Sequence, residues 1–142
     1  MTYDASFDVF INAALGKKAY NIIALDVHSL TSIADMFILL SGSSNRQVSA
    51  LAEHIEKDLR KQGIKPLSVE GRKEGHWVLM DYGYVVIHIF YESVRELYDL
   101  EGLWRDAGRI RISHEDGSAA DQDKFQNGDQ DNNQIVEAEI II

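Results

Sequence analysis

Apolar positions along the chain alternate between two periods. Phe7, Phe10, Ile11, Ala14 and Leu15 recur at helical spacing, which predicts an amphipathic helix over roughly residues 3–18. Gly16-Lys17-Lys18 suits its C-terminal end. Tyr20 to Val27 (YNIIALDV) reads as a first strand and Met36 to Leu40 (MFILL) as a second, buried one. Ser41-Gly42-Ser43-Ser44 carries helix-capping chemistry, and Val48, Leu51, Ala52, Ile55 and Leu59 then mark a helix from about Ser44 to Lys61, ended by Gly63. Pro66, the only proline, belongs at the start or edge of a short strand, Leu67 to Glu70. Gly71 to Gly75 is a polar hairpin loop.

The stretch from Trp77 to Trp104 organises the rest. Trp77-Val78-Leu79-Met80 is a strand, Asp81-Tyr82-Gly83 a turn in which Gly supplies positive φ, and Tyr84 to Tyr91 a second strand. On that strand Val85, Ile87 and Ile89 face one way and Val86, His88 and Phe90 the other. Both sets are largely apolar, so the strand is expected to be central and covered on both sides. Val94, Leu97 and Tyr98 continue as a helical stripe until Asp99-Leu100-Glu101-Gly102 interrupts it. Arg105 to Ile112 is expected to leave the folded body. The order α-β-β-α-β-β-β-α predicts an α/β (α+β) fold, a mixed five-stranded sheet packed with helices.

Composition narrows the function. The chain has 142 residues and no cysteine, which excludes disulfides and thiolate metal sites. No apolar run is long enough to span a bilayer, and residues 1–10 contain acids but no base, unlike a signal or transit peptide. A cytoplasmic protein is the expectation. The net charge of −9 is uneven. Residues 1–112 carry 15 acids and 13 bases, whereas residues 113–142 carry eight acids and only Lys124. A nearly neutral domain over 1–112, followed by an acidic tail expected to be disordered, is the predicted organisation. The tail ends in the apolar residues Ile135-Val136 and Ile140-Ile141-Ile142. Neither part has the basic footprint of a protein that grips nucleic acid through phosphates.

Catalytic signals are thin. Ser41 to Arg46 lies between a strand and a helix N-terminus, a position that serves either as a plain cap or as an anion site. A nucleotide-binding or nucleotidyltransferase-like enzyme using this turn is the alternative function. It would need paired aspartates on the next strand, which offers only Glu70. The histidines are scattered, with no metal-ligand spacing. His88 is expected to be a core histidine, or to be oriented by Asp81 without any adjacent nucleophile. No residue is assigned a catalytic, cofactor or metal role. What remains is aromatic and acidic: tryptophan, tyrosine and carboxylates that either fill the core and pack helices or form an anchor patch for a basic protein.

In series the motifs resemble the Iojap family of ribosomal silencing factors. The pieces are Lys18-Ala19, Ile22 to Val27, Ile33 to Phe37, Ser41 to Val48, Glu70-Gly71, Trp77 to Gly83, Val86 to Phe90, Arg95, Tyr98 to Glu101 and Leu103-Trp104. They cover roughly residues 3–107. The resemblance implies a fold related to nucleotidyltransferases without their activity. It implies a non-enzymatic translational repressor that binds the large ribosomal subunit through ribosomal protein fourteen. There it would block joining of the small subunit when nutrients are scarce, with little direct nucleic-acid contact. Members also self-associate, so a homodimer is implied. By analogy and position the contact set is Trp77, Met80, Asp81, Tyr82, Tyr98, Asp99, Leu100, Glu101 and Trp104. Trp77→Ala, or reversal of charge at Asp81 and Glu101 together, is expected to weaken subunit binding with the fold intact. Unchanged pelleting of a folded variant with large subunits would refute the patch.

Overall fold

The computed structural model describes residues 5–112. The acidic segment from 113 onward, and what was expected of it, lie outside the described residues. A 3-10 turn (Ala5–Phe7) leads into α1 (Asp8–Leu15). Strands β1 (Tyr20–Asp26) and β2 (Met36–Gly42) follow, then α2 (Asn45–Lys61). Strands β3 (Ser68–Glu70), β4 (Trp77–Asp81) and β5 (Val85–Tyr91) come next. Helices α3 (Glu92–Tyr98) and α4 (Leu100–Leu103) and strand β6 (Gly108–Arg111) complete the body. The sheet is six-stranded and mixed, in the order β3-β4-β5-β2-β1-β6. Only β2 and β5 run parallel, joined by the crossover through α2 that such a pair requires.

The sixth strand corrects the five-stranded expectation. Gly108–Arg111 pairs antiparallel with β1, with Arg111 opposite Ile23 and Arg109 opposite Leu25. The strand signal is a short alternation, Arg109-Ile110-Arg111-Ile112, in which both isoleucines enter the core. Two arginines in four residues made it look like a departing segment.

The two faces of the sheet are covered unequally. On one face α1 and α2 pack over Ile22, Ala24, Met36, Ile38, Leu40, Val78, Met80, Val85, Ile87 and Ile89. Their stripes (Phe10, Ile11 and Ala14; Val48, Leu51, Ala52, Ile55 and Leu59) are buried, as the periodicity predicts. On the other face Ile23, Leu25, Phe37, Leu39, Val86 and Phe90 form a second, smaller core under α3, α4 and the connections around them. Residues of β5 enter both cores, so the strand is central and covered on both sides as expected.

Turns follow their local chemistry. Ser44 caps α2 by accepting from the Gln47 N–H at 3.0 Å. Gly83 has φ +93°, and its N–H donates to Asp81 Oδ1 at 2.8 Å. Gly75 (φ +72°) lies so close to the Asn45 carbonyl that a Cβ would overlap it. The loop from Gly71 is thus held against α2, where Ser49 Oγ also donates to the Arg72 carbonyl at 2.6 Å.

One polar cluster joins the second layer to the sheet. Asn21 sits at φ +51° in a bulge of β1, between Tyr20 and Ile23, where the pairing register with β2 shifts. Its carbonyl accepts from Arg95 Nη1 at 2.7 Å. The same nitrogen donates to Ser41 Oγ at 2.8 Å, and Arg95 Nε donates to Glu101 at 2.9 Å. Arg95 is 5% exposed. A buried cation is tolerated only when paired and hydrogen-bonded, and here one guanidinium ties α3 to β1, β2 and α4. Arg95→Ala should cost about 3 kcal/mol or more in urea unfolding, because it strands Glu101 and the bulge carbonyl. A loss under ~1 kcal/mol would show that the cluster contributes little beyond a surface pair.

Candidate functional site

The second face carries an aromatic row that α3 and α4 only partly cover. Trp77 on β4 stacks on Phe90 with ring centroids 4.9 Å apart, and Tyr98 at the end of α3 packs beside it at 5.1 Å. His88 and Phe37 meet edge-on at 5.1 Å, and Trp104 closes the row on Phe37 at 5.3 Å. The outer rim is apolar and solvated. Leu97 is 77% exposed, Tyr98 59% and Leu103 74%. Trp77, Leu79 and Asp81 alternate onto this face of β4 and are half-buried. Of these exposed side chains Tyr98 packs directly on the half-buried Trp77.

The expected contact set divides on this geometry. Trp77, Asp81, Tyr98, Asp99, Glu101 and Trp104 lie on or beside the open face. Met80 and Tyr82 do not, and this is a correction. Met80 alternates inward with Val78 and is fully buried under the helices. Tyr82 packs edge-on against Phe10 of α1 at 5.4 Å, and burial pushes its phenol up to about 12. Leu100 is also inside, 9% exposed in the second core, because α4 turns it toward the sheet. Leu97, which belongs to the helical stripe with Val94 and Tyr98, is 77% exposed.

Several site residues also hold local structure. Asp99 adopts φ +47°, and its carboxylate caps α4 by accepting from the Gly102 N–H at 3.1 Å. Glu101 is the partner of Arg95. Charge reversal at Glu101 would therefore disrupt the fold, and Trp77→Ala would remove a hydrogen bond and a stacked ring. Neither is a clean test of binding. Beside the patch, a polar cleft of about 370 Å³ lies between α3 and the strands β1 and β6, lined by Asn21, Glu92, Arg95, Glu96 and Arg109 among others.

His88 is a core histidine with an unexpected partner. The Trp77 Nε1–H donates to its Nδ1 at 3.1 Å, which leaves the ring proton on Nε2. That buried Nε2 has no partner. Asp81 is not near it in role, since its carboxylate holds the turn at Gly83. Burial pushes the His88 pKa from 6.5 down to about 4.

The Ser41–Arg46 turn is a cap. Ser41 Oγ accepts from Arg95 and is fully buried. Gln47 folds back over the turn, where its Oε1 accepts from the Ser43 hydroxyl at 2.7 Å and also from the Ser43 N–H. Its Nε2 donates to the Lys18 carbonyl at 3.1 Å. The Ser43 and Gln47 donors at this turn are thus engaged within the chain. Among the described residues no group of three His, Asp or Glu side chains is placed to hold a metal ion. No helix among them is long and apolar enough to cross a membrane.

Comparison with known proteins decides the family. A family model described as ribosomal silencing factor during starvation, RsfS, matches residues 2–137. The chain belongs to the RsfS family. An RsfS of Halalkalibacterium halodurans is 39% identical over 102 residues, covering 72% of this chain and 87% of the relative. A mouse relative named mitochondrial assembly of ribosomal large subunit protein 1 is 28% identical over 100 residues, covering 68% of this chain and 44% of the relative. A crystal structure of a Chromobacterium violaceum protein superposes with a TM-score of 0.68 at 39% identity, over 73% of this chain and 87% of that one. The Iojap-like resemblance is therefore established, as is a mixed α+β fold shared with proteins of this family.

Within this RsfS-family fold, His88 makes the open face sensitive to acid. Above about pH 6.5 the ring is neutral in both the folded and unfolded chain. Below it the unfolded chain takes up a proton that the folded chain refuses until about pH 4. Its contribution to stability should thus fall by up to ~3 kcal/mol as pH drops through that window. His88→Gln keeps an acceptor for Trp77 and removes the titration. Urea unfolding from pH 7 to pH 4 should give a flatter profile for the variant, and equal slopes would contradict the assignment.

Proposed function

We propose that this RsfS-family protein is a non-enzymatic translational repressor that docks its open sheet face on the large ribosomal subunit. The partner is ribosomal protein fourteen on the surface that meets the small subunit, and the bound protein sterically blocks subunit joining. Nutrient limitation is the condition under which it acts, in line with the family's description. The name of the mouse relative supports the choice of the large subunit. The domain spans residues 1–112, works in the cytoplasm and needs no cofactor.

The observation that carries this reading is the asymmetry of the sheet. One face is covered by α1 and α2, while on the side of α3 and α4 Leu97, Tyr98 and Leu103 are exposed and Trp77 and Trp104 are half-buried. Those side chains exclude water at the centre of an interface, and Asp81, Asp99 and neighbouring acids face the Arg and Lys of a basic partner at its rim. The near-neutral charge of the body suits a protein contact rather than a grip on RNA phosphates. Self-association through the same apolar rim gives a homodimer that competes with docking.

The test is co-sedimentation with separated subunits at moderate salt, followed by addition of the complementary subunit. The protein should pellet with large subunits only and reduce the yield of whole ribosomes. Leu97→Asp combined with Leu103→Asp changes only exposed positions, so it should leave the melting temperature nearly unchanged and weaken pelleting by tenfold or more, about 1.4 kcal/mol. Lys57→Glu, at an exposed position on α2 and so on the opposite side of the sheet, should bind like the parent. Equal binding by all three proteins would overturn the docking face.

A further inference from the structure

The polar cleft between α3 and the strands β1 and β6 presents both signs of charge. Its volume of about 370 Å³ falls at the small end of the range that small-molecule sites occupy. Helix spacing gathers the acids. Glu92, Arg95 and Glu96 of α3, and Asp99 at its C-cap, follow at intervals of three and four residues, so they share one side of the helix, and all line the cleft. Arg109 lines it from β6.

Part of this charge is already committed. Arg95, buried in the wall, is held by Glu101, the Asn21 carbonyl and Ser41. The Asp99 carboxylate accepts from the Gly102 N–H. Two buried atoms of the lining are left without a hydrogen-bond partner, Glu92 Oε2 and Arg109 Nε. A carboxylate oxygen accepts and a guanidinium nitrogen donates, so the two orphans call for opposite groups. Burying either unpaired is costly, which favours a ligand that completes both. The Arg109 guanidinium is anchored at the wall, since its Nη2 donates to the Glu101 carbonyl at 3.0 Å. Glu96, exposed one turn along from Glu92, adds a second carboxylate. A plain anion in this cleft would meet Glu92 and Glu96, and a plain cation would meet Arg109. We propose that the cleft binds a free α-amino acid, with its ammonium on the Glu92 carboxylate beside Glu96 and its carboxylate on the Arg109 guanidinium. A free amino acid carries both charges on one carbon, whereas within a peptide these groups are joined in amide bonds. Asn21, in the bulge of β1, and Ile23 line the rest of the cleft, where the ligand's own side chain lies. The inference does not rest on the docking reading, because neither Leu97 nor Leu103 lines the cleft.

The test follows amide chemical shifts of the isotope-labelled full chain during titration with each common L-amino acid. Each is taken to roughly 10 mM, enough to fill a site of millimolar affinity. At least one should shift the amides of Asn21, Glu92, Glu96 and Arg109 saturably. Acetate, methylamine and their equimolar mixture should not do so at the same concentration. Glu92→Gln keeps the shape and an acceptor but removes the charge, and it should weaken binding of that amino acid about tenfold or more. Glu96→Gln, a change at an exposed position, should leave the fold intact and weaken binding in the same direction. Leu97→Asp with Leu103→Asp should bind the amino acid like the parent. No saturable shift with any amino acid, equal shifts with acetate or methylamine, or unchanged affinity in the folded glutamine variants would each overturn the proposal.

Discussion

The Arg95 guanidinium is the contact on which the layout of the second face depends. It is buried, and it bridges the carbonyl of a bulged strand residue, a strand serine and a helix carboxylate. Each partner lies on a different element, so α3 and α4 can sit on the sheet in only one way. That seat buries Phe37, His88 and Phe90 and leaves Trp77 and Trp104, at the ends of the aromatic row, half-buried. A bulge with a non-glycine residue at positive φ costs energy, and here the Arg95 hydrogen bond supplies the compensation. Asp99 completes the arrangement, because its left-handed backbone ends α3 and its carboxylate starts α4.

Function follows from incomplete coverage more than from any reactive group. A sheet with one sealed face and one partly covered face must either tolerate exposed leucines or present them to a partner. The side chains that would carry chemistry are spent on structure: Ser41 and Glu101 on Arg95, Gln47 on the Ser43 turn, Asp81 on Gly83, His88 on Trp77. The chain belongs to a family described as ribosomal silencing factor during starvation.

Much of the fold was legible in the residues. The stripe of α2, the cap at Ser44, the two-sided burial of β5 and the break at Asp99 each follow from local pattern and appear as expected. The site was legible only in part. Linear proximity put Met80 and Tyr82 in the patch, but the pleat sends Met80 to the opposite face and the turn tucks Tyr82 under α1. Alternation along β4 carried that information for Met80, since Trp77, Leu79 and Asp81 share one parity. The exposure of Leu97 was not legible, because the helical stripe shared with Val94 and Tyr98 does not say which of its members α3 turns to water. Strand β6 was missed for a similar reason: its register is set by β1, more than eighty residues earlier.

Electron cryomicroscopy of this protein bound to isolated large subunits would locate the docking face. The Trp77–Trp104 face, with Leu97, Tyr98 and Leu103, should lie against ribosomal protein fourteen. Helices α1 and α2 should face away, and the body should overlap the space of the small subunit. Contact through the α1–α2 face, or a position that leaves the small-subunit surface free, would contradict it.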